Sequence, residues 1–494
     1  MKTLNRLLTL SLSLVFVMLS IPTWRDVGFA QSDQHIAWSQ PMNLTNTPTG
    51  SLQQTITGDL FGYAHFFWVE DYEGPLVEEL FGRVPSGNTI FYRYWDGMNW
   101  SEPVDLFFVP AGSLSYPTAE VDDEGIIYLV WGTTAGLSFS SAPVAEAGNA
   151  LRWMPEQILT DATGYKPALL VRGDNRIDLI YSAFSQGGRK DGNLYHIQSL
   201  DGGRTWSLPN QLSTITDSSG TLAVFPRLVE DEAGRLHVAW YETDPPDYLG
   251  SAVYYARSTD DGLTWSAPAR VAESTAQSPW SSAVQVASAG SDEIHLTWVC
   301  GQLAYRCHQR SVDGGESWSS PQRVFGGLHS LAIWDAIISA PGGNIYWFIQ
   351  LRYPEGLYYS YWDGHGWLDP PGIVDTRFIP QGHAPQIALT GGNQFHLVVN
   401  DQVGWDVWWI YGESNLMAPI PNLAFPTSLP SPPSVATEVP AVSVEVEPQV
   451  LPPSALEPRT GTSQTNPGMP LILSVGGVIL VLGAVLALKG MRRK

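Results

Sequence analysis

Short stretches in which apolar and polar residues alternate recur along the chain, and most end on an aromatic or large apolar residue. They are Tyr63–Trp68, Ile126–Trp131, Ile177–Tyr181, Leu236–Trp240, Ile294–Trp298, Ile345–Ile349 and Phe395–Val399. A period of two places successive side chains on opposite sides of an extended backbone, and a Gly, Asn or Asp turn precedes most copies, so each predicts a β-strand. A second segment interleaves with the first, a Trp followed three residues later by Pro. Its copies are Trp38-Pro41, Trp100-Pro103, Trp206-Pro209, Trp265-Pro268, Trp318-Pro321 and Trp367-Pro370, with Trp153-Met154-Pro155 one residue shorter. From Trp38 the steps between these tryptophans are 62, 53, 53, 59, 53 and 49 residues.

Each interval also holds an earlier apolar run, as at Ala168–Val171 and Ile387–Leu389, and a later one, as at Val253–Arg257, that leads into the Trp. Four strands in about fifty residues make one blade of a β-propeller, so the chain reads as all-β. The last unit, residues 383–415, has no Trp-x-x-Pro of its own, and the surplus copy is Trp38 at the other end. The N-terminal strand is therefore expected to complete the last blade and close the ring. Counting both segment types gives seven blades, with six as the alternative.

Three of the turns before the Trp share the spacing Ser-x-Asp-x-Gly-x-Thr/Ser-Trp. They are Ser199, Asp201, Gly203, Thr205 and Trp206; Ser258, Asp260, Gly262, Thr264 and Trp265; and Ser311, Asp313, Gly315, Ser317 and Trp318. Shortened versions place Asp96 and Gly97 before Trp100, and Asp363 and Gly364 before Trp367. This pattern resembles the Asp-box, or bacterial neuraminidase repeat, of the sialidase-like propellers. The repeats cover residues 35 to 415. An Asp side chain accepts hydrogen bonds from backbone N–H groups further along a turn, and Gly takes the φ > 0 position. The three aspartates are therefore turn-formers and not catalysts. The box joins the third and fourth strands, whereas propeller ligands meet the 2–3 and 4–1 loops on the opposite face. His65, His237, His295 and His396 share one slot in the second strand with Tyr128, Asp178 and Tyr346, which reads as packing round a ring and not as a metal cluster.

The resemblance also implies chemistry. Sialidases of this kind usually have six blades, clamp the substrate carboxylate with three arginines, and use a tyrosine nucleophile paired with a glutamate and an aspartate acid/base. Guanidinium forks suit a carboxylate because they bind it bidentately. That set is not placed in this chain. The family's Arg-x-Pro signature belongs near a first strand, but its matches here, Arg83-Pro85 and Arg352-Pro354, follow second strands.

Composition agrees with many short strands: 494 residues include 20 Trp, 20 Tyr, 47 Gly and 37 Pro, and 44% are hydrophobic, enough for a large core. The formal net charge is -22, from 26 Lys+Arg against 48 Asp+Glu. The ends conceal part of the imbalance, because residues 1–30 and the last six carry seven bases and one acid, leaving the middle at -28. Such a field repels phosphate backbones, and no nucleic-acid partner is expected. Residues 1–30 read as a secretory signal, with Lys2 and Arg6 before the apolar run Leu7–Ile21 and a small-x-small site at Gly28 and Ala30. Residues 31–417 form the propeller and 418–469 a Pro-rich stalk. Residues 470–490 read as a single transmembrane helix, and 491–494 as a basic cytoplasmic tail in type I topology, with the propeller outside the cell. Pro458 to Gly461 before the span loosely resembles a sortase sorting signal, so wall anchoring is the lesser alternative. Cys300 and Cys307 flank a hairpin-like stretch outside the cell and are expected to form a disulfide. No Asp-x-Asp-x-Asp-Gly calcium loop occurs, and no metal or cofactor is expected.

The candidate face follows from the topology. First-strand entrances carry Tyr116, Lys166, Phe225, Arg227, Trp280, Trp334, Asp335 and His383, and the loops after second strands carry Glu70, Asp71, Arg83, Glu242, Asp244, Arg352 and Asp401. Aromatic residues beside carboxylates and arginines suit sugar stacking with hydroxyl hydrogen bonding. Any single one of them reads first as an ordinary residue solvating a propeller mouth. Arg227, Arg352, Arg83, Trp280 and Trp334 are the candidate substrate-binding residues, and Glu242, Asp244 and Asp335 the candidate catalytic ones. Two functions fit: a surface propeller that binds a glycan or a surface protein without cleaving it, and a sialidase-like exo-glycosidase acting on an acidic sugar. The missing arginine set favours binding.

Overall fold

The computed structural model describes residues 35–47, 50–71, 87–110, 116–133, 135–161, 166–184, 190–215, 220–245, 249–275, 281–326, 328, 335–352, 354–378, 384–400 and 405–425. The expected signal segment, the part of the expected stalk beyond residue 425, the expected transmembrane span and the basic tail lie outside them. No described helix is long and apolar enough to cross a membrane. The chain divides into two compact units, 1–430 and 431–494, and the described residues all belong to the first.

Seven antiparallel sheets follow one another along the chain. Blades 1 to 6 occupy residues 50–110, 118–160, 168–211, 222–273, 281–324 and 335–375, each with four strands in sequence order from first to fourth. Blade 7 has three strands from residues 386–414, and Ile36–Trp38 and Met42–Asn43 pair with its Val407–Ser414 strand. The molecule is thus an all-β propeller of seven blades, and the six-bladed alternative falls. Among the described residues the helical content is two short 3-10 turns, Ala150–Arg152 and Pro341–Gly343.

The second strands explain the apolar runs that mark them. Ile294–Cys300 is buried at all seven positions, because both faces of the strand are covered by neighbouring blades. Every neighbouring pair shares a core of its own. Blades 1 and 2 meet through Phe67, Tyr92, Leu129 and Trp131, and blades 3 and 4 through Ile180, Leu194, Val238 and Trp240. Blades 6 and 7 meet through Tyr346, Phe348, Phe395 and Leu397, with Ile36 beside them. Blades 7 and 1 meet in the same way, through Val398, Trp409, Phe66 and Trp68.

The Asp-boxes sit between third and fourth strands. In blade 4, Asp260 accepts the Thr264 N–H at 2.9 Å and the Thr264 hydroxyl at 2.5 Å, while Ser258 Oγ accepts the Gly262 N–H at 2.9 Å. Blades 3 and 5 repeat the pattern on Asp201 and Asp313. Gly203, Gly262 and Gly315 have φ of 85°, 86° and 83°. The Trp that follows packs on the preceding blade: Trp206 on Phe139, Trp265 on His196 and Trp318 on Tyr255.

The repeating histidine slot is packing. His65 bonds Tyr92 at 2.8 Å and Asp59 at 3.1 Å, and His237 bonds Tyr255 at 2.7 Å and Asp231 at 3.1 Å. The ring ties the first turn of the blade to its third strand. Cys300 and Cys307 are joined as a disulfide within blade 5. After Ser414 the chain runs along the same face as the 1–2 turns. Ile420 N–H donates to Gly391 O at 2.7 Å, Leu423 N–H to Leu60 O at 2.8 Å, and Phe425 lies 4.6 Å from the Tyr63 ring.

Trp38 anchors the N-terminal strand, with its ring 5.8 to 6.3 Å from Tyr359, Phe348 and Phe395 and close over Gly412. Trp38→Ala should lower the stability of the propeller by about 3 kcal/mol, as for other large-to-small changes at packed aromatic sites. The measurement is the urea midpoint of the chain at unchanged slope, and a loss below about 1 kcal/mol would show that the terminal strand is dispensable.

Candidate functional site

The seven first strands edge a central channel of roughly 380 Å³. One register position repeats around it, occupied in blade order by Thr55, Thr118, Ala168, Arg227, Gln285, Ala336 and Gln386. Two residues earlier stand Gln53, Tyr116, Lys166, Phe225 and Ala283 in blades 1 to 5. Gln53, Phe225 and Ala283 lie at register shifts in their strands, and with Tyr116 they have φ of 51°, 50°, 52° and 34°. Non-glycine residues in this region are strained by about 1 kcal/mol or more, and a bulge there redirects its side chain. The strained aromatics meet: Tyr116 of blade 2 stands edge-on to Phe225 of blade 4 at 6.2 Å, and Phe225 stacks on Tyr241 at 5.8 Å.

Between blades 2 and 4, Lys166 enters the channel and donates to Gln386 Oε1 of blade 7. Arg227 donates from Nε to Gln285 Oε1 at 3.0 Å and from Nη1 to the Pro226 carbonyl at 3.2 Å. Neither cation meets a carboxylate among the described residues. Burial pushes Lys166 down to about 7, and the Arg227 charge adds to the shift. Burial also lowers Arg227 from its ordinary value. Glu120, in the same channel, is pushed up to about 8 by burial, against a 2.7 Å bond from the Val171 N–H. Near neutral pH this acid is mostly protonated, so the channel carries net positive charge inside a chain of net charge -22.

The other sequence candidates separate. Asp335 lines the channel, but Arg306 of blade 5 grips its carboxylate at 2.6 and 2.7 Å, and the Trp347 indole donates to it at 3.1 Å. Both members of the pair are buried, so Asp335 is a strut between blades 5 and 6 and not a free acid. Glu242 and Asp244 face the flank of blade 4, away from the channel lining. There burial, with the Asp244 charge adding, raises Glu242 to about 7, and the Thr221 hydroxyl donates to Asp244 at 2.6 Å. Glu70 is buried under bonds from Thr47, Ser51 and Trp68. Arg83, Trp280, Trp334, His383 and Asp401 lie outside the described residues, as do the side chains of Asp71 and Arg352. Among the described residues Arg227 is the one arginine on the channel wall, and no triad of arginines converges there. No described group of His, Cys, Asp or Glu is arranged to hold a metal ion.

Sequence reasoning missed Glu120, Tyr241, Gln285 and Gln386. The signal was available for the two glutamines, because they share the Arg227 register, but it appears only once first strands are aligned through their second-strand partners.

Residues 142–324 match the family of BNR repeat-like domains. No curated protein matches the chain in sequence. Among solved structures, an ulvan lyase, a polysaccharide lyase, aligns with 75% of this chain and 95% of its own at 11% identity and a TM-score of 0.51. A protein of unknown function from Dyadobacter fermentans covers 77% of this chain and 100% of its own at 14% identity and a TM-score of 0.49. A Hadza microbial sialidase covers 66% and 74% at 15% identity and a TM-score of 0.44. At these identities the likeness is one of fold.

If the Asp335 carboxylate is a strut, Arg306→Met should cost about 3 to 5 kcal/mol by stranding a buried charge, and Arg306→Met with Asp335→Leu should recover most of the loss. Thermal or urea unfolding of the two variants decides it, and failure of the double variant to recover stability would contradict the assignment. The chain is a seven-bladed β-propeller in which residues 142–324 match the BNR repeat-like domains, and it shares its fold with the ulvan lyase.

Proposed function

We propose that this protein is an extracellular, surface-held propeller that binds an acidic sugar of a glycan at its channel mouth without cleaving it. The observation that carries the reading is the pair Lys166 and Arg227, which stand in one channel without a carboxylate partner among the described residues, beside the Tyr116–Phe225 aromatic contact. A carboxylate or sulfate supplies the missing counter-charge, and the aromatic faces suit the C–H surface of a sugar ring. The export signal, the apolar span and the basic tail in the sequence support display at the cell surface.

Hydrolysis needs more than this channel offers. Glu120 is protonated enough to act as an acid, but no described arginine joins Arg227 to orient a substrate carboxylate. The raised Glu242, which could serve as an acid, stands away from both cations. These placements favour binding over the exo-glycosidase alternative.

The sign of the pH dependence follows from the channel groups. Lys166 is cationic below about 7 and loses its charge above it, while Glu120 becomes an anion above about 8. Both changes weaken anion binding as pH rises, so affinity for a sialylated or uronic-acid glycan should fall between pH 6 and pH 8. Lys166→Ala and Arg227→Ala should each weaken binding by about 10-fold or more, the loss expected for a charge-assisted hydrogen bond. A glycan array followed by calorimetry on the full chain checks this. Affinity unchanged in Arg227→Ala, or release of sialic acid from a reporter glycoside that Arg227→Ala abolishes, would overturn the reading.

A further inference from the structure

Blade 4 repeats a pair found in blade 1 but uses it differently. Trp68 and Glu70 stand two apart on the second strand of blade 1, share a face, and bond to each other, the indole N–H donating to the carboxylate at 2.8 Å. Trp240 and Glu242 occupy the same positions in blade 4. Here the carboxyl stands near the Tyr254 hydroxyl of the third strand, and no hydrogen bond joins it to the indole. The Trp240 N–H is left without an acceptor among the described residues, on a side chain with no solvent exposure. A buried donor without a partner is destabilising, so the arrangement leaves a demand for an oxygen atom.

The demand lies at a cavity. Trp240, Glu242 and Tyr254 line a space of roughly 210 Å³ with Thr221 and residues 213–215 of blade 3. Trp240 and Tyr254 pair across the strands with their rings stacked at 5.6 Å. The opposite wall is fixed, because Asn193 accepts from the Ile215 N–H at 2.7 Å and from Ser213 Oγ at 2.8 Å and donates to the Ile215 carbonyl at 3.1 Å. Aromatic surface, a carboxyl and an unmet indole donor in a small cavity match the faces and hydroxyls of one sugar ring.

We propose that this pocket on blade 4 binds an uncharged sugar residue, with a sugar oxygen accepting from Trp240 Nε1 and a sugar hydroxyl bonded to Glu242. Entry of the ring between Glu242 and Tyr254 uncovers the indole N–H and gives it an acceptor. Because Glu242 is raised to about 7, its carboxyl is present in both protonation states near neutral pH, so it can donate to or accept from a hydroxyl. The site uses none of the channel residues, and the argument for it stands apart from that for the channel.

The test uses the full chain and saturation-transfer NMR with glucose, galactose, mannose and xylose as probes at pH 7. At least one should give a saturable signal with a Kd of about 1 to 10 mM, the range for a single small ring. Trp240→Phe, which keeps the ring and removes the N–H, and Glu242→Leu should each weaken that signal about 10-fold, while Lys166→Ala and Arg227→Ala leave it unchanged. The proposal is overturned if no probe saturates, if Trp240→Phe binds like the unmodified chain, or if the channel variants abolish the signal. Loss of acidic-glycan binding in the channel variants with the neutral-sugar signal intact would separate the two sites.

Discussion

Each sheet of this protein is apolar on both faces, and only another blade can cover them. That constraint organises the molecule. A blade isolated from its neighbours would expose residues such as Trp68, Trp131, Trp240 and Trp347, which are almost fully buried here. Stacking repeats solves the problem for the inner members of a row, but an open row leaves two bare faces at its ends. The core between blades 7 and 1 removes both, and it includes side chains from strands separated by most of the propeller. Pairing Ile36–Trp38 with Val407–Ser414 then makes the first and last strands of the unit depend on each other. Loss of that seam would expose two apolar faces at once, which is why one tryptophan near the N-terminus can matter to the whole ring.

The same constraint creates the site. Seven sheets meeting round an axis leave their first strands facing a shared space, and whatever residues stand at the repeated register become a ring. Packing sets no demand on the side chain at that register, so it varies from Thr and Ala to Gln and Arg. Variation is possible because the fold is carried elsewhere, by the second strands and the Asp-box turns. Strain gathers at the same place: non-glycine residues with positive φ stand at the first-strand entrances of blades 1, 2, 4 and 5. These conformations persist because the flanking strand pairs hold them, and they turn Tyr116 and Phe225 toward each other over a gap that spans a whole blade.

Most of the fold was legible in the sequence, because its signals are local. The second strands, the box turns and the Trp-x-x-Pro period each read within a few residues, and their seven-fold repetition outweighs any single ambiguous copy. The site was legible only in part. Lys166, Tyr116, Phe225 and Arg227 were marked as mouth residues by their place at first-strand entrances; Lys166 and Arg227 line the channel, and Tyr116 and Phe225 meet each other. Asp335 was marked by the same rule and has a different role, because its partner Arg306 comes from a third strand 29 residues earlier, in a neighbouring blade. Such a pairing has no local sequence signal. Glu120 was passed over for the opposite reason: a glutamate in a polar-looking strand gives no hint that the ring will enclose it.

The charge of the chain bears on what the channel can select. A net charge of -22 repels an acidic polymer at long range, but salt confines that field to about 8 Å under physiological conditions. Inside the channel the walls exclude most of the screening ions, and Lys166 and Arg227 act at close range in a less polarisable medium. A ligand that lays a long anionic surface over the protein meets the repulsion along its whole length and the attraction at one point. A ligand that presents a single acidic group on a narrow end meets mainly the attraction. If the channel binds an acidic sugar as proposed, this distribution of charge favours a terminal acidic residue over an extended polyanion, a discrimination that neither the propeller fold nor the net charge would produce alone.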